Sequence, residues 1–303
     1  MDIEKGESMR LFKYRTTNVN RMGYSFILPN LIVMLILITY PVFRGLYISL
    51  FNTNLINKWK FVGFNNYTDV LFNSEFYSSV WITLKFTFFV VLGHFIIGFI
   101  LSHILNKNIK GITLFRAILI MPWLIPESVL AMVFKWLFNP VYGLVNHLLM
   151  KLSIISEPLS WLGDGKYAFF IAVMVCIWKG FPMIMMMILA GLQSIPKTLY
   201  EAGQIDGASN WQKFIYITIP SIKHILATAL ILDTVWWFKH YTIVWVLTQG
   251  GPGSATSLIS IDIYKTNFEY FKFGKGSATA ILVFFICFAI GKIYERVFKA
   301  NED

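Results

Sequence analysis

The chain alternates between long apolar runs and short polar segments along most of its length. Several runs reach the ~20 residues that a helix needs to cross the hydrocarbon core of a bilayer. We therefore predict an all-α membrane protein. Its six transmembrane helices are expected at Phe26–Tyr47, Val80–Leu105, Phe115–Phe138, Tyr167–Leu192, Ile222–Leu247 and Gly276–Phe298.

Prolines interrupt several of these runs. Pro122 and Pro126 lie in the third span, and Pro182 lies in the fourth. Membrane helices tolerate proline where neighbouring helices satisfy the freed carbonyl groups. The breaks are typical of a bundle built around a pathway, and kinks that serve only packing explain them as well.

Composition supports a membrane protein and argues against an enzyme. Of 303 residues, 56% are hydrophobic and 14% are charged, whereas about a quarter are charged in an average soluble domain. The sequence has no phosphate-binding loop, and no Ser/His/Asp, Cys/His or paired-carboxylate arrangement stands out, so we expect no enzyme activity in this chain. It has no basic cluster with interleaved aromatic residues, so we expect no nucleic acid partner. Cys176 and Cys287 both fall within predicted spans and are expected to be free thiols, with no metal site.

The distribution of Lys and Arg predicts the orientation. Basic residues concentrate in the segment 1–25, in two loops and in the carboxyl-terminal tail, which are all on one side if six helices alternate. Because positive loops stay in the cytoplasm, both termini are predicted to be cytoplasmic. The domains are then a basic cytoplasmic segment at 1–25, a membrane domain at 26–298 and a short cytoplasmic tail at 299–303.

One polar segment between the fourth and fifth spans, Leu199–Pro220, has the pattern of a helical hairpin. Asp206-Gly207 is a turn signal, and Ser209 with Gln212 fits a capping box at the start of a second short helix. Trp211 and Phe214 are spaced to share one face of that helix, and Pro220 is expected to end it. The residues alone allow insertion into a groove of a cytoplasmic partner or a position on the membrane surface.

This segment, EAGQIDGASNWQKFIYITIP, resembles the EAA loop of binding-protein-dependent ABC importer permeases. Three further segments resemble the sugar-importer subfamily, which includes the permeases for maltose, trehalose, glycerol 3-phosphate and alginate. They are FVGFNNYTDVL at 61–71, NPVYGLVN at 139–146 and LTQGGPGSAT at 247–256. The resemblance covers nearly the whole chain and implies the type I importer permease fold, in the cytoplasmic membrane of a bacterium.

The resemblance also implies the partners. They are a second related permease, two ATPase subunits that bind ATP and Mg, and an extracytoplasmic solute-binding protein that delivers an oligosaccharide. This chain itself is expected to hold no cofactor. The hairpin becomes a coupling helix that docks on an ATPase, with an anchoring acid, a turn glycine and an apolar plug of Trp211 and Phe214. Its coupling residues are Glu201, Ala202, Gly203, Asp206, Gly207, Ala208, Trp211 and Phe214.

The maltose relative implies where the substrate passes. Its sugar contacts come from two segments, which match Lys179, Gly180 and Met183 in the fourth span and 238–241 in the fifth. The spacing of Trp236, Lys239 and His240 also predicts that they share one helix face. The expected pathway residues are therefore Lys179, Gly180, Met183, Trp236, Trp237, Lys239, His240 and Tyr241.

Two lysines beside the expected pathway indicate an anionic ligand such as a uronate-containing or sulfated oligosaccharide, because ionisable residues inside spans usually face a polar interior. Alternatives stay open. Lys179 could instead pair with a backbone carbonyl or with an acid on the partner permease, and Lys239 could snorkel toward the outer face or pair with Asp233. A neutral di- or oligosaccharide would then be the substrate. Glycerol 3-phosphate is a further alternative for the same machinery. A secondary, ion-coupled transporter is the rival class, although the inverted repeats typical of many such proteins are not evident.

Overall fold

The computed structural model describes residues 24–107 and 110–299, with side chains described as far as Arg296. The basic segment predicted at 1–25 lies almost entirely outside the described residues, and so does nearly all of the tail predicted at 299–303.

Long apolar helices dominate the structure. Within the described residues, five helical stretches are long and apolar enough to cross a membrane, or six if one bent pair counts as a span. The helices are α1 (Tyr24–Ser49), α2 (Asn65–Leu71), α3 (Ser74–Leu105), α4 (Ile112–Leu124), α5 (Glu127–Leu137), α6 (Leu144–Lys151), α7 (Gly165–Ser194), α8 (Lys197–Ile205), α9 (Asn210–Lys213), α10 (Ile219–Phe238), α11 (Thr242–Thr248), α12 (Ile259–Tyr264) and α13 (Phe273–Lys299).

The third predicted span is not one straight helix. It consists of α4 and α5, which meet at an angle of 91°. Ile125 and Pro126 take extended backbone conformations between them. The physical reason is Pro126, because proline excludes the α conformation from the residue before it. The single span expected at Phe115–Phe138 is therefore corrected to a broken one.

The fifth predicted span begins earlier than expected and is broken near its end. Helix α9 continues through a π-helical turn at Phe214–Thr218 directly into α10, so Pro220 does not end the short helix as predicted. Pro220 stands in the first turn of α10, where its missing N–H costs little, and the wider π turn precedes it. At the other end α10 stops at Phe238, and the separate helix α11 follows.

A small strand pair accompanies the helices, and the predicted helical fold is confirmed. Two short antiparallel strands, β1 (Phe51–Thr53) and β2 (Trp59–Phe61), pair after α1, with Phe51 opposite Phe61. The Asn66 amide holds this hairpin by donating to the carbonyls of Ser49 (2.8 Å) and Phe51 (2.9 Å).

Two of the segments that suggested the sugar-importer subfamily are compact loops. The Asn146 amide donates to the carbonyl of Leu159 (2.9 Å) and accepts from the Trp161 indole (2.7 Å), so it closes the loop between α6 and α7. Thr256 shares a hydrogen bond with Thr248 (2.6 Å) and donates to the Gly251 carbonyl (2.8 Å). The asparagine and threonines of these segments thus shape the loops.

The core lies where α3, α7 and α10 pack together, and α7 is the most deeply buried of the long helices. Its buried residues include Ile171, Val175, Cys176 and Ile188. In contrast, most side chains of α1 are exposed. Helix α7 is therefore the centre around which the segments of the candidate site are arranged.

Candidate functional site

The hairpin expected between the fourth and fifth spans is present, and local backbone chemistry builds it. Helix α8 ends in a Schellman motif, in which Gly207 N–H donates to the Gln204 carbonyl (3.1 Å) and Ala208 N–H to the Gly203 carbonyl (2.8 Å). Gly207 has φ +75°, a conformation that costs other residues about 1–2 kcal/mol. The predicted capping box of Ser209 and Gln212 then starts α9.

The tip of the hairpin carries exposed apolar side chains. Trp211 is 68% exposed and Ile205 is 86% exposed, and Glu201, Ala202 and Asp206 are exposed as well. The sequence interpretation named Trp211 and missed Ile205, whose position after the last polar residue of α8 gave no periodic signal. The hairpin therefore presents exposed apolar side chains together with exposed carboxylates.

Phe214 is not among these exposed side chains, which corrects the expected plug of Trp211 and Phe214. Its ring packs edge-on against Phe99 (5.8 Å between centroids) and against His103 (5.7 Å), both in α3. Trp211 stacks on the other side of Phe214 at 5.5 Å. Phe214 thus joins the exposed Trp211 to the carboxyl-terminal end of α3.

The two arms of the hairpin also hold each other. The Tyr200 hydroxyl and Thr218 Oγ1 lie 2.9 Å apart. A Cβ on Gly203 would lie 3.0 Å from Ile217 Cδ1, so the small residue permits the close approach expected there. The hairpin is consequently one rigid unit that continues into α10.

The buried lysine of the fourth span caps a broken helix. Lys179 Nζ donates to the carbonyls of Trp123 (2.7 Å) and Ile125 (2.7 Å), with the Pro122 carbonyl at 3.4 Å. These carbonyls are at the end of α4, where a helix leaves acceptors unsatisfied and its dipole favours a cation. The alternative in which Lys179 pairs with backbone is the one that the structure shows.

Two further basic residues do the same for other helices. Arg116 Nη2 donates to the Leu105 carbonyl (2.8 Å) at the end of α3, and Lys135 Nζ donates to the Val246 carbonyl (3.1 Å) in the last turn of α11. Lys179, Arg116 and Lys135 thus each donate to a carbonyl group near the end of a helix.

The predicted shared face of Trp236, Lys239 and His240 is wrong, because α10 ends at Phe238. Lys239 and Trp236 do meet, with Nζ 5.5 Å from the centroid of the indole. His240 turns inward, is buried, and packs on Trp237 at 4.5 Å. The predicted pathway residues therefore divide into the exposed Trp236, Lys239 and Met183, and a buried set of Trp237, His240, Gly180 and Lys179.

Tyr241 lies between the two groups. It stacks on Trp245 (5.5 Å) and contacts Tyr264 (5.1 Å), so it joins α11 to α12. Aromatic rings of α11 and α12 therefore pack around the break that follows α10.

A buried ion pair that the sequence interpretation did not assign occupies the centre of the bundle. His94 Nδ1 of α3 lies 2.9 Å from Asp233 Oδ2 of α10, and His94 Nε2 lies 3.1 Å from the Cys176 carbonyl of α7. A carbonyl only accepts, so Nε2 carries a hydrogen, and a single proton is shared between Nδ1 and the carboxylate. Asp233 thus pairs with His94 and does not pair with Lys239.

Gly180 packs against this pair. A Cβ at position 180 would lie 2.4 Å from both Cε1 and Nε2 of His94 and 2.8 Å from Trp237 Cζ2. The glycine thereby opens the Cys176 carbonyl to the imidazole. His94 and Asp233 are 139 residues apart in the sequence. Apart from the position of both residues inside apolar runs, the sequence gave no signal for their contact.

Comparison with known proteins gives the family. Residues 94–300 match the model of the binding-protein-dependent transport system inner membrane component. The chain is 39% identical over 295 residues to the trehalose/maltose transport system permease protein MalF of Thermococcus litoralis, covering 96% of this chain and 97% of that protein. It is 32% identical to the sulfoquinovosyl glycerol transport system permease protein SmoG of Agrobacterium fabrum, covering 90% and 89%.

A solved structure shows the same fold. A chain of a bacterial ABC transporter involved in the import of the acidic polysaccharide alginate superposes with a TM-score of 0.81 at 20% identity, covering 95% of this chain and 98% of that one. The chain belongs to the binding-protein-dependent transport system inner membrane components, and it is a multi-pass permease subunit of an ABC importer, a transport subunit whose ATP is bound by separate ATPase subunits.

Proposed function

We propose that this chain, together with a second related permease, forms the membrane pathway for a saccharide that a solute-binding protein delivers. In this proposal two ATPase subunits sit on the cytoplasmic side, and both termini of the chain are cytoplasmic. The membrane domain of residues 26–298 holds the pathway, and the segment 199–220 is its coupling element.

The observation that carries this proposal is the hairpin of α8 and α9. Its exposed Trp211 and Ile205 suit an apolar cleft, and Glu201 is an exposed anchor beside them. The end of α3, which leads into one of the two basic loops of the sequence, lies at the same end of the bundle, since Phe214 contacts His103. Both segments were assigned to the cytoplasm by their charge, so the geometry and the charge bias agree.

The mechanism that follows is transmission of force. ATP binding brings the two ATPases together, which draws the hairpins together and turns the pathway toward the outside. Hydrolysis releases them and returns the pathway to the inside. The hairpin performs no chemistry, and its continuity with α10 lets a displacement at the tip reach the break at Lys239.

A neutral di- or oligosaccharide is the substrate class that we favour. The case for an anionic ligand depended on two lysines, and the amine of Lys179 is already committed to the carbonyls of α4. The relative with 39% identity is named for trehalose and maltose. Trp236, 59% exposed, offers a flat apolar face of the kind that packs on a sugar ring.

The anionic alternative now depends on Lys239 alone, whose amine lies over Trp236. A relative named for sulfoquinovosyl glycerol, a sulfonated and therefore anionic compound, supports this alternative. Lys239→Gln distinguishes the two. Uptake of a neutral saccharide should change by less than about twofold, whereas uptake of an acidic one should fall by about tenfold, as expected when a charge-assisted contact is lost.

Two substitutions in the hairpin test the coupling role. Gly207→Pro removes the N–H of the Schellman motif and cannot adopt φ +75°, and Glu201→Lys reverses the exposed anchor. Both variants should reach the membrane and assemble, yet abolish uptake and the stimulation of ATP hydrolysis by loaded binding protein. Normal uptake and stimulation in either variant would refute the coupling role.

A further inference from the structure

We propose that His94 and Asp233 are positioning residues that lock α3 and α10 into one body, so that displacement of the coupling hairpin reaches the pathway without loss. This inference rests on the proposed coupling role of the hairpin.

The first link between the two helices is at their cytoplasmic ends. Phe214 belongs to the π-helical turn that leads into α10, and its ring packs on Phe99 and His103 of α3. Trp211, on the exposed side of Phe214, stacks on it at 5.5 Å. A push on the tip therefore acts on α3 and α10 together.

The second link lies inside the bundle, away from the hairpin. The His94–Asp233 pair joins the same two helices again, and the side chains are 0% and 5% exposed. Two connections at separated levels prevent α3 and α10 from rotating independently. Because both side chains are buried, water cannot replace their hydrogen bond. Separating His94 from Asp233 would therefore leave buried polar groups unsatisfied, which is costly.

The pair is electrically neutral in either position of its proton. Imidazolium with carboxylate and imidazole with carboxylic acid carry the same net charge, and both keep the hydrogen bond of Nε2 to the Cys176 carbonyl. The link therefore joins three helices inside the bundle without an uncompensated charge.

The lock is connected to the exposed part of the pathway. His94 packs on Trp237 at 5.1 Å, and Trp237 packs on His240. Trp237 and His240 flank the end of α10, where Trp236 and Lys239 are exposed. When the lock holds, a displacement of α10 carries this break with it.

The proton shared by His94 and Asp233 predicts how strongly each substitution of the pair disturbs the protein. Asp233→Asn keeps the contact, because the Asn amide donates to Nδ1 of a neutral His94 and the net charge is unchanged. The double variant His94→Leu with Asp233→Leu removes the link and leaves no unpaired charge, so it should fold. His94→Leu by itself leaves a buried carboxylate and is expected to be the most damaging to assembly.

The measurement is saccharide taken up per ATP hydrolysed, by the full complex in proteoliposomes. We expect the double variant to assemble and to keep the stimulation of ATP hydrolysis, while uptake per ATP falls by about tenfold, within the usual range of coupling between sites. Asp233→Asn should keep more than about half of the wild-type ratio. Thr228→Val is the matched control, because it removes an exposed hydrogen bond within α10 to His224 and links no other helix.

Two results would overturn the proposal. One is a wild-type ratio in the double variant. The other is a loss in Asp233→Asn as large as in the double variant. Failure of the coupling role itself has a different signature, since Gly207→Pro would then leave both hydrolysis and uptake intact.

Discussion

The position of Lys179 in the structure changes the role that its charge suggested. As a charged residue in an apolar run it indicated a binding site for anions, because such residues usually face a polar interior. The structure places its amine on carbonyls that the break between α4 and α5 leaves open. The sequence could suggest the break from Pro126, but it could not show which side chain would cap it, because Lys179 is more than fifty positions away.

Lys179→Met is therefore expected to act on stability. The carbonyls of Trp123 and Ile125 would lose their donor, at a cost of about 1–3 kcal/mol, while Lys179→Arg would retain one. Thermal unfolding of the purified complex should show a lower midpoint for the Met variant and a smaller change for Arg. An unchanged midpoint together with weaker uptake of an acidic saccharide would instead favour the ligand-binding interpretation.

The close packing of Gly180 against His94 can be tested by adding a methyl group. Gly180→Ala places a methyl group against the His94 ring, which should cost about 1–3 kcal/mol through overpacking. Gly291→Ala in α13 is the matched control, since among the described residues the added Cβ meets no atom within 4 Å beyond its own stretch of helix. The helix also gains about 1 kcal/mol in propensity. Thermal unfolding midpoints should shift in opposite directions. A fall of equal size in both variants would contradict the packing role of Gly180.

At the scale of elements, local chemistry was predictable and tertiary chemistry was not. The turn at Gly207 and the capping box at Ser209 depend on residues within a few positions, and both are present as predicted. The orientation of Phe214 depends on α3, and the inward turn of His240 depends on where α10 ends. Helical spacing describes faces only while a helix continues, which is why the face of Trp236, Lys239 and His240 failed.

The hairpin caps allow a quantitative prediction. Ser209→Ala removes the side-chain acceptor of the Gln212 N–H and should destabilise α9 by about 1 kcal/mol. Hydrogen exchange of the amides at 210–213 should then be about fivefold faster in the assembled complex. Ser221→Ala is the control, because its hydroxyl bonds within the helix to Ile217. Equal acceleration in both variants would mean that the capping box does not hold α9.

At the scale of the whole molecule, hydropathy predicted the spans because the bilayer demands internally bonded helices of a given length. The interhelical lock was not predictable, since sequence periodicity does not tell which of several apolar faces meet. Helix α7 lies at the centre of the bundle, and α3 and α10 pack on it. These two helices are also joined to each other at the hairpin and at the His94–Asp233 pair. That arrangement is suited to moving as one body under force applied at the tip.

The most direct test of the account is uptake by the complete complex in proteoliposomes. The chain is reconstituted with its partner permease, its ATPases and a solute-binding protein loaded with labelled maltose or trehalose, and ATP is enclosed on the cytoplasmic side. We predict accumulation that needs ATP, is blocked by vanadate and is lost in Gly207→Pro. Accumulation that proceeds without ATP on an ion gradient, or that is unchanged in Gly207→Pro, would contradict the account.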